Sequence, residues 1–267
     1  MKQYLAYFKL RFIASLQYRT AAIAGILTQF FFGFVFVMVY VAFYESNVSQ
    51  APMQLNQVIS YLWLGQAFYS LTYLYYKDKE ILNMIRNGDV AYELCRPGNL
   101  YFKWYIKITA SKLAGCLLKF APIIIVTLLL PEPYTLMLPI SKIAFIAFLI
   151  SLFISFFLIP AFVTIIHLIS FFLLDDKGIY TFIIAFSEIF AGQIIPIPFF
   201  PKYLQVVANI LPFRYISDLA FRLYTGHIPV SEAPLLISIQ FLWTVIFIII
   251  GYFLAKKVLE KALVQGG

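Results

Sequence analysis

The sequence predicts an all-α fold, a polytopic membrane bundle of six transmembrane helices. Three observations predict it. Hydrophobic residues make up 63% of 267 positions and aromatics 19%, with a mean hydropathy of +0.89, well above the roughly half-apolar composition of soluble domains. The apolar residues gather in runs of about 20, the length a helix needs to cross the hydrocarbon core. The charged residues, 12% of the chain, fall mainly between those runs. Little chain is left for a soluble domain, so residues 1–267 read as a single transmembrane domain.

The first element is residues 1–20, "MKQYLAYFKLRFIASLQYRT". Leu5, Phe8, Phe12 and Leu16 recur at helical spacing while Lys2, Lys9 and Arg11 lie off that stripe. This reads as an amphipathic helix in the membrane interface, with a basic tail that merely orients the first span as the other reading. The apolar run that follows outlasts a signal-peptide core, so the first span is expected to be retained. The spans fall at 21–43, 57–76, 108–130, 143–174, 179–200 and 233–255. The fourth is long, and it reads as one tilted helix kinked near Pro160, because two halves would be too short to cross.

Basic residues sort the loops. Lys2, Lys9, Arg11 and Arg19 precede the first span, six Lys and Arg lie within 77–107, and Lys256, Lys257 and Lys261 follow the last; the loops near 44–56, 131–142 and 201–232 hold few. The positive-inside rule puts both termini and the 77–107 loop in the cytoplasm. The net charge of +8 is therefore a topological signal, and no nucleic-acid partner is expected.

Catalytic chemistry is sparse. Histidine occurs only at His167, inside a span, and at His227, in an outer loop; cysteine only at Cys95 and Cys116. Neither set has metal-ligand or disulfide-framework spacing. There is no G-x-S-x-G elbow and no phosphate-binding G-x-x-x-x-G-K-[ST] loop. No catalytic site, metal or cofactor is expected in this chain, and ATP-driven work would need a partner. His167 reads as a hydrogen-bonding residue of the bundle interior. Glu188 is the clear carboxylate within a span, where a charge costs about 2.5–3.5 kcal/mol, so it should face a cavity or an interface. Lys119 is a deep cation in the third span, and snorkelling or pairing with Glu188 are both open.

Two stretches stand out. In "KDKEILNMIRN", Ile81, Leu82 and Ile85 share one helical face while Lys79, Glu80, Asn83 and Arg86 lie elsewhere. The block "IRNGDVAYELCRPGN" follows: Gly88 suits a left-handed helix C-cap, Asp89 can cap the turn at "VAYEL", and Pro97-Gly98 ends it. Its charges either face a partner or brace the loop internally. The second stretch, "FAGQIIPIPFFPKYLQVVANILPFRY", carries Pro196, Pro198, Pro201 and Pro212. Proline cannot continue a helical ladder, and irregular backbone at membrane depth survives only under protein cover or beside water, so 192–232 reads as a re-entrant turn leading into an extracellular segment. An ordinary aromatic-rich interfacial loop is the other reading.

In order and spacing, the two stretches resemble those of ABC type-2 exporter permeases, the six-span subunits found in bacterial operons beside an ATP-binding subunit. The resemblance runs over essentially the whole chain. It implies that 77–107 is a cytoplasmic coupling loop in which Ile81, Ile85, Arg86, Gly88, Asp89, Tyr92, Glu93, Arg96 and Pro97 dock the ATPase. It also implies a substrate path or outer gate at Gln29, Tyr69, Glu188, Gly192, Gln193, Pro196, Phe199 and Phe200. The expected partners are two ATP-binding subunits carrying ATP and Mg, a second permease (identical or homologous), and the lipid of a bacterial cytoplasmic (inner) membrane. The expected activity is export of an amphipathic or hydrophobic substrate such as a drug, peptide antibiotic or lipid. An ion-coupled secondary transporter is the alternative, though one isolated intramembrane acid is thin support for it; a membrane enzyme acting on lipid comes third.

Overall fold

The long apolar runs become long helices. A computed structural model describes residues 2–46, 51–95, 98–172 and 176–265, without the side chains of 91, 94, 95, 176, 177, 179 and 262–265. Among the described residues the chain is all-helical, with no strand. Its α-helices are α1 (Lys2–Leu16), α2 (Arg19–Glu45), α3 (Leu55–Ala67), α4 (Tyr69–Thr72), α5 (Lys79–Arg86), α6 (Leu100–Leu128), α7 (Lys142–Ser170), α8 (Asp176–Phe190), α9 (Lys202–Ile210), α10 (Asp218–Tyr224) and α11 (Ala233–Gln265). Short 3₁₀ turns lie at Asp89–Cys95, Ile197–Phe199, Pro212–Tyr215 and Val230–Glu232.

Four of these, α2, α6, α7 and α11, are long and apolar enough to cross a membrane. Local chemistry sets their starts. Asn99 accepts hydrogen bonds from the N–H groups of Tyr101 and Phe102 at the head of α6, and Ser141 does the same for Ala144 in α7. Each side chain satisfies donors that the first helical turn leaves orphaned. Within the run 143–174 the structure has one helix, Lys142–Ser170, continuous through Pro160.

The runs 57–76 and 179–200 behave differently. The first breaks at Phe68 into α3 and α4, which together cover Leu55 to Thr72, about 27 Å at about 1.5 Å per residue. The chain beyond, to Asp78, is non-helical, with a tight turn where Tyr76 N–H donates to Leu74 O at 2.7 Å. The second ends at Phe190 after 15 helical residues, about 22 Å, short of the roughly 30 Å hydrocarbon core. Both breaks are held by contacts from other helices, described below.

α7 is the hub, packed on α11, α10 and α6. A polar clamp ties it to α11 within otherwise apolar packing. The Gln240 amide donates to Ser151 O (3.0 Å), Ser155 Oγ (2.9 Å) and Tyr215 O (2.8 Å), while Ser151 Oγ donates to Gln240 Oε1 (3.0 Å). Every polar atom of that amide is used, which is the condition for burying it in a bundle.

The loops sort to two ends, as the basic residues do. At one, Gln57 reaches Thr225 O, Tyr224 reaches Met137 O and His227 reaches Pro52 O. At the other, α1 lies along α6 through Tyr4 to Asn99 N (2.8 Å) and Ser15 to Ser111 (3.2 Å). The docked face of α1 is Tyr4, Tyr7, Arg11 and Ser15, while Leu5, Leu10 and Ile13 point outward. The stripe expected from spacing is thus split: Leu5 faces away from the bundle, and Phe8 and Phe12 are half-buried against it.

Candidate functional site

A cavity of about 390 Å³ lies between α2, α3, α6, α8 and α10. Drug-sized ligands occupy pockets of about 300–1,000 Å³. Its walls are apolar at Phe32, Phe36, Leu62 and Phe221, and its polar groups come from α2, α3, α4, α6 and α8. Gln29, Tyr69, Glu188, Gly192 and Gln193, all expected on a substrate path, line it together. Pro196, Phe199 and Phe200 do not: Phe199 packs edge-on against Tyr40 and Phe43, and Phe200 against Phe190.

The polar groups are incompletely satisfied. Gln29 is 5% exposed, yet among the described residues its Oε1 has no hydrogen-bond partner, and neither has Oε1 of Glu188. The Glu188 carboxylate lies near the backbone of Leu74 and Tyr75. Lys119 lies against Gly25 of α2, one helical turn from Gln29, and no ion pair joins it to Glu188. Leaving a buried acceptor unmade costs about 1–3 kcal/mol, so two such acceptors in a cavity that Lys119 also lines make a place where a polar group on an otherwise apolar molecule would be held.

The floor is the end of α8. Gly192 has φ +72°, a left-handed conformation open to glycine at little cost. A Cβ there would meet Tyr61 Oη at 2.5 Å. The Tyr61 hydroxyl lies 3.0 Å from Gly192 O and 3.2 Å from Asp218 Oδ1, and Ser217 Oγ donates to Ala191 O at 2.8 Å. The helix break is therefore fixed by α3 and α10.

From the cavity, the non-helical strip 73–78 leads to α5. Lys112, only 3% exposed, donates to Leu71 O (3.2 Å) and Tyr73 O (2.6 Å). Tyr180 donates to Tyr76 O at 2.6 Å. His167 accepts the N–H of Asp78 at Nε2 (3.1 Å), so its Nδ1–H donates to Val163 O (2.8 Å), a neutral tautomer serving the bundle interior. Asp78 caps α5 by accepting from the N–H groups of Glu80 and Ile81, both at 3.0 Å. Lys107 reaches Asp78 and Glu80 at 2.7 Å each, and Arg11 makes a two-pronged pair with Glu80 at 2.8 and 2.9 Å. Burial alone would raise the Glu80 carboxyl, but the hydrogen bonds and charges of Arg11 and Lys107 outweigh it and hold it at about 2.

The expected docking residues divide. Ile81 is 0% exposed and Leu82 is buried, with Ile85 packed partly behind them. The apolar face of α5 is turned into the bundle, so Ile81 belongs to the fold, and the outward face is Lys79, Asn83 and Arg86. Gly88 has φ +77° just past α5, as the cap pattern requires. Glu93 is braced internally by Lys103 at 2.8 Å. Asp89 is half-buried beside Asn87, and Tyr92 is 70% exposed. Arg96 and Pro97 lie outside the described residues. Sequence reasoning missed Arg11, Asp78, Lys107 and Lys112 as a connected set. Asp78 was visible as a cap ahead of "KEIL", and Lys112 as a second charge within an apolar run, buried more deeply than Lys119.

Comparisons with protein-family models, with curated proteins and with solved structures found no match to this chain.

Proposed function

We propose that this chain is the permease subunit of an ATP-driven exporter in the bacterial cytoplasmic membrane, with both termini in the cytoplasm. In this reading α3 with α4, and α8, are two shortened spans that complete a set of six, and the segment after α8 is re-entrant. The observation that carries it is the connection from cavity to α5. The cavity holds Gln29, Tyr69, Tyr73, Glu188, Gly192 and Gln193, Glu188 lies near the backbone of Leu74 and Tyr75 in the strip 73–78, and the strip runs into the cap of a short helix with a polar outer face.

Two ATP-binding subunits, which supply ATP and Mg, would bind that outer face, with Arg86, Asp89 and Tyr92 in contact. A second permease, identical or homologous, completes the transporter. Pulling α5 shifts the strip, and the strip shifts the groups around Glu188, so the cavity changes shape as a two-state element. Apolar walls with a few polar groups suit an amphipathic substrate.

The test is co-expression with candidate ATP-binding subunits, followed by co-purification and ATPase assay. Capture of an ATPase whose hydrolysis is stimulated by this chain supports the reading. A chain that transports under an ion gradient with no ATPase bound supports the other reading, an ion-coupled carrier, for which Glu188 and Lys119 in one cavity are the motivating pair.

A further inference from the structure

A second polar cavity, about 350 Å³, lies at the opposite end of the bundle from α1 and α5. Its wall holds Arg214, Arg222, His227, Asn209 and Gln205. Arg214 is 7% exposed, and among the described residues no carboxylate pairs with it. Its Nη1 donates to Asn209 Oδ1, its guanidinium rests on the Tyr215 ring at 5.5 Å, and its Nε is buried with no partner among those residues. Burial depresses the Arg214 guanidinium. Arg222, by contrast, is balanced by buried Asp218 at 3.1 Å and donates from Nε to His227 Nδ1 at 3.1 Å. Asp218 is held by Arg222 and by Tyr61 at 3.2 Å, so it and Glu232 act on Arg214 only at a distance. Glu232 stands exposed at the rim. A buried cation with no carboxylate in contact is unfavourable, and a guanidinium is matched in shape and charge by a phosphate.

The helix beside this cavity indicates the source of that phosphate. On α9, Tyr203, Val206, Val207 and Ile210 are exposed at the i, i+3, i+4, i+7 spacing of a single stripe, while Gln205 and Asn209 are the residues that line the cavity. A short helix with an exposed apolar stripe and an amide face turned inward lies in the membrane interface, at headgroup depth. Leu236 and Ile228 continue the apolar border on the cavity side.

We propose that this cavity binds the phosphate of a phospholipid headgroup, with Arg214 as the principal ligand, Arg222 beside it, and the acyl chains lying along the outward stripe of α9. The site stands apart from the transport reading and does not depend on it.

The test uses the full chain, delipidated in a neutral detergent, with thermal unfolding followed as phosphatidylglycerol is added in mixed micelles. Diacylglycerol of the same chains and inorganic phosphate are the comparison arms. Phosphatidylglycerol raises the midpoint and diacylglycerol does not. Arg214→Gln raises the half-saturating concentration at least about thirtyfold, the loss expected when one partner of a buried charge pair is truncated. Because Arg214→Gln can also fail to fold, Glu232→Gln, at an exposed rim position, is the second variant: removing its like charge tightens phosphatidylglycerol binding about threefold. Equal stabilisation by diacylglycerol, or unchanged binding in both variants, overturns the site. Inorganic phosphate acting as strongly as the lipid overturns the lipid as its source.

Discussion

Asp78 does two jobs, and two substitutions separate them. Its carboxylate caps α5 at Glu80 N and Ile81 N, and it neutralises buried Lys107 at 2.7 Å. The substitution Asp78→Asn keeps the cap, since Asn and Asp cap about equally well, but loses the charge. Stripping one partner from a buried pair costs about 3–5 kcal/mol. Here Glu80 still reaches Lys107 at 2.7 Å from a half-exposed position, so the expected loss is smaller, about 2 kcal/mol, below that range. Asp78→Ala removes the cap as well, adding about 1 kcal/mol. A kcal/mol shifts the midpoint of a protein of this size by about 2–4 °C, so thermal unfolding in detergent should fall by about 4–8 °C for Asp78→Asn and about 6–12 °C for Asp78→Ala. Midpoints within about a degree of the parent for both variants would refute the network as a source of stability. Equal losses in the two would show the cap to be idle.

Further outcomes follow from the same geometry. Gly192→Ala forces a Cβ into left-handed backbone and to 2.5 Å from Tyr61 Oη; it should lower the thermal midpoint by the equivalent of about 1–3 kcal/mol. Glu80 titrates below its ordinary value, so the stability it lends is present above about pH 4.5 and is lost as pH falls toward about 2. A spin label on Ile13 should report α1 loosening in that window, and Arg11→Ala should blunt the pH dependence. Glu188→Gln should insert normally and change transport in reconstituted vesicles; unchanged transport would leave Glu188 a packing residue. A membrane-impermeant thiol reagent applied to cells should label a cysteine replacing Glu132 and spare one replacing Asn87, and the reverse pattern would invert the topology.

The four long helices were legible because an apolar run of sufficient length has one stable solution in lipid. The break at Phe68 was not, since no proline or glycine sits there and the strip beyond it is held by Lys112, Tyr180 and His167, far along the chain. Periodicity found the apolar face of α5 but could not name what covers it, and the bundle itself supplies that cover at Ile81. Gly88 was readable because a left-handed residue after a helix leaves a local signature, whereas the φ of +72° at Gly192 was not read from the sequence. Of the expected path, Gln29, Tyr69, Glu188, Gly192 and Gln193 converge on one cavity, whereas Phe199 and Phe200 went into aromatic packing, which their residue type alone does not distinguish from a gate.

The Gln240 clamp sets a clock on assembly. Ser151 and Ser155 of α7 are synthesised well before α11, and until α11 arrives the Ser151 hydroxyl lacks its amide partner, while Ser155 Oγ has Ser151 O at 3.0 Å and Tyr215 O at 3.1 Å. The Tyr215 carbonyl is half served in that interval, by Ser155 of α7 and not yet by Gln240 of α11. A nascent bundle lacking α11 therefore carries an exposed polar seam on its central helix, a mark by which membrane quality control could tell it from the finished chain. Replacing Gln240 with leucine would leave that seam open for the life of the molecule.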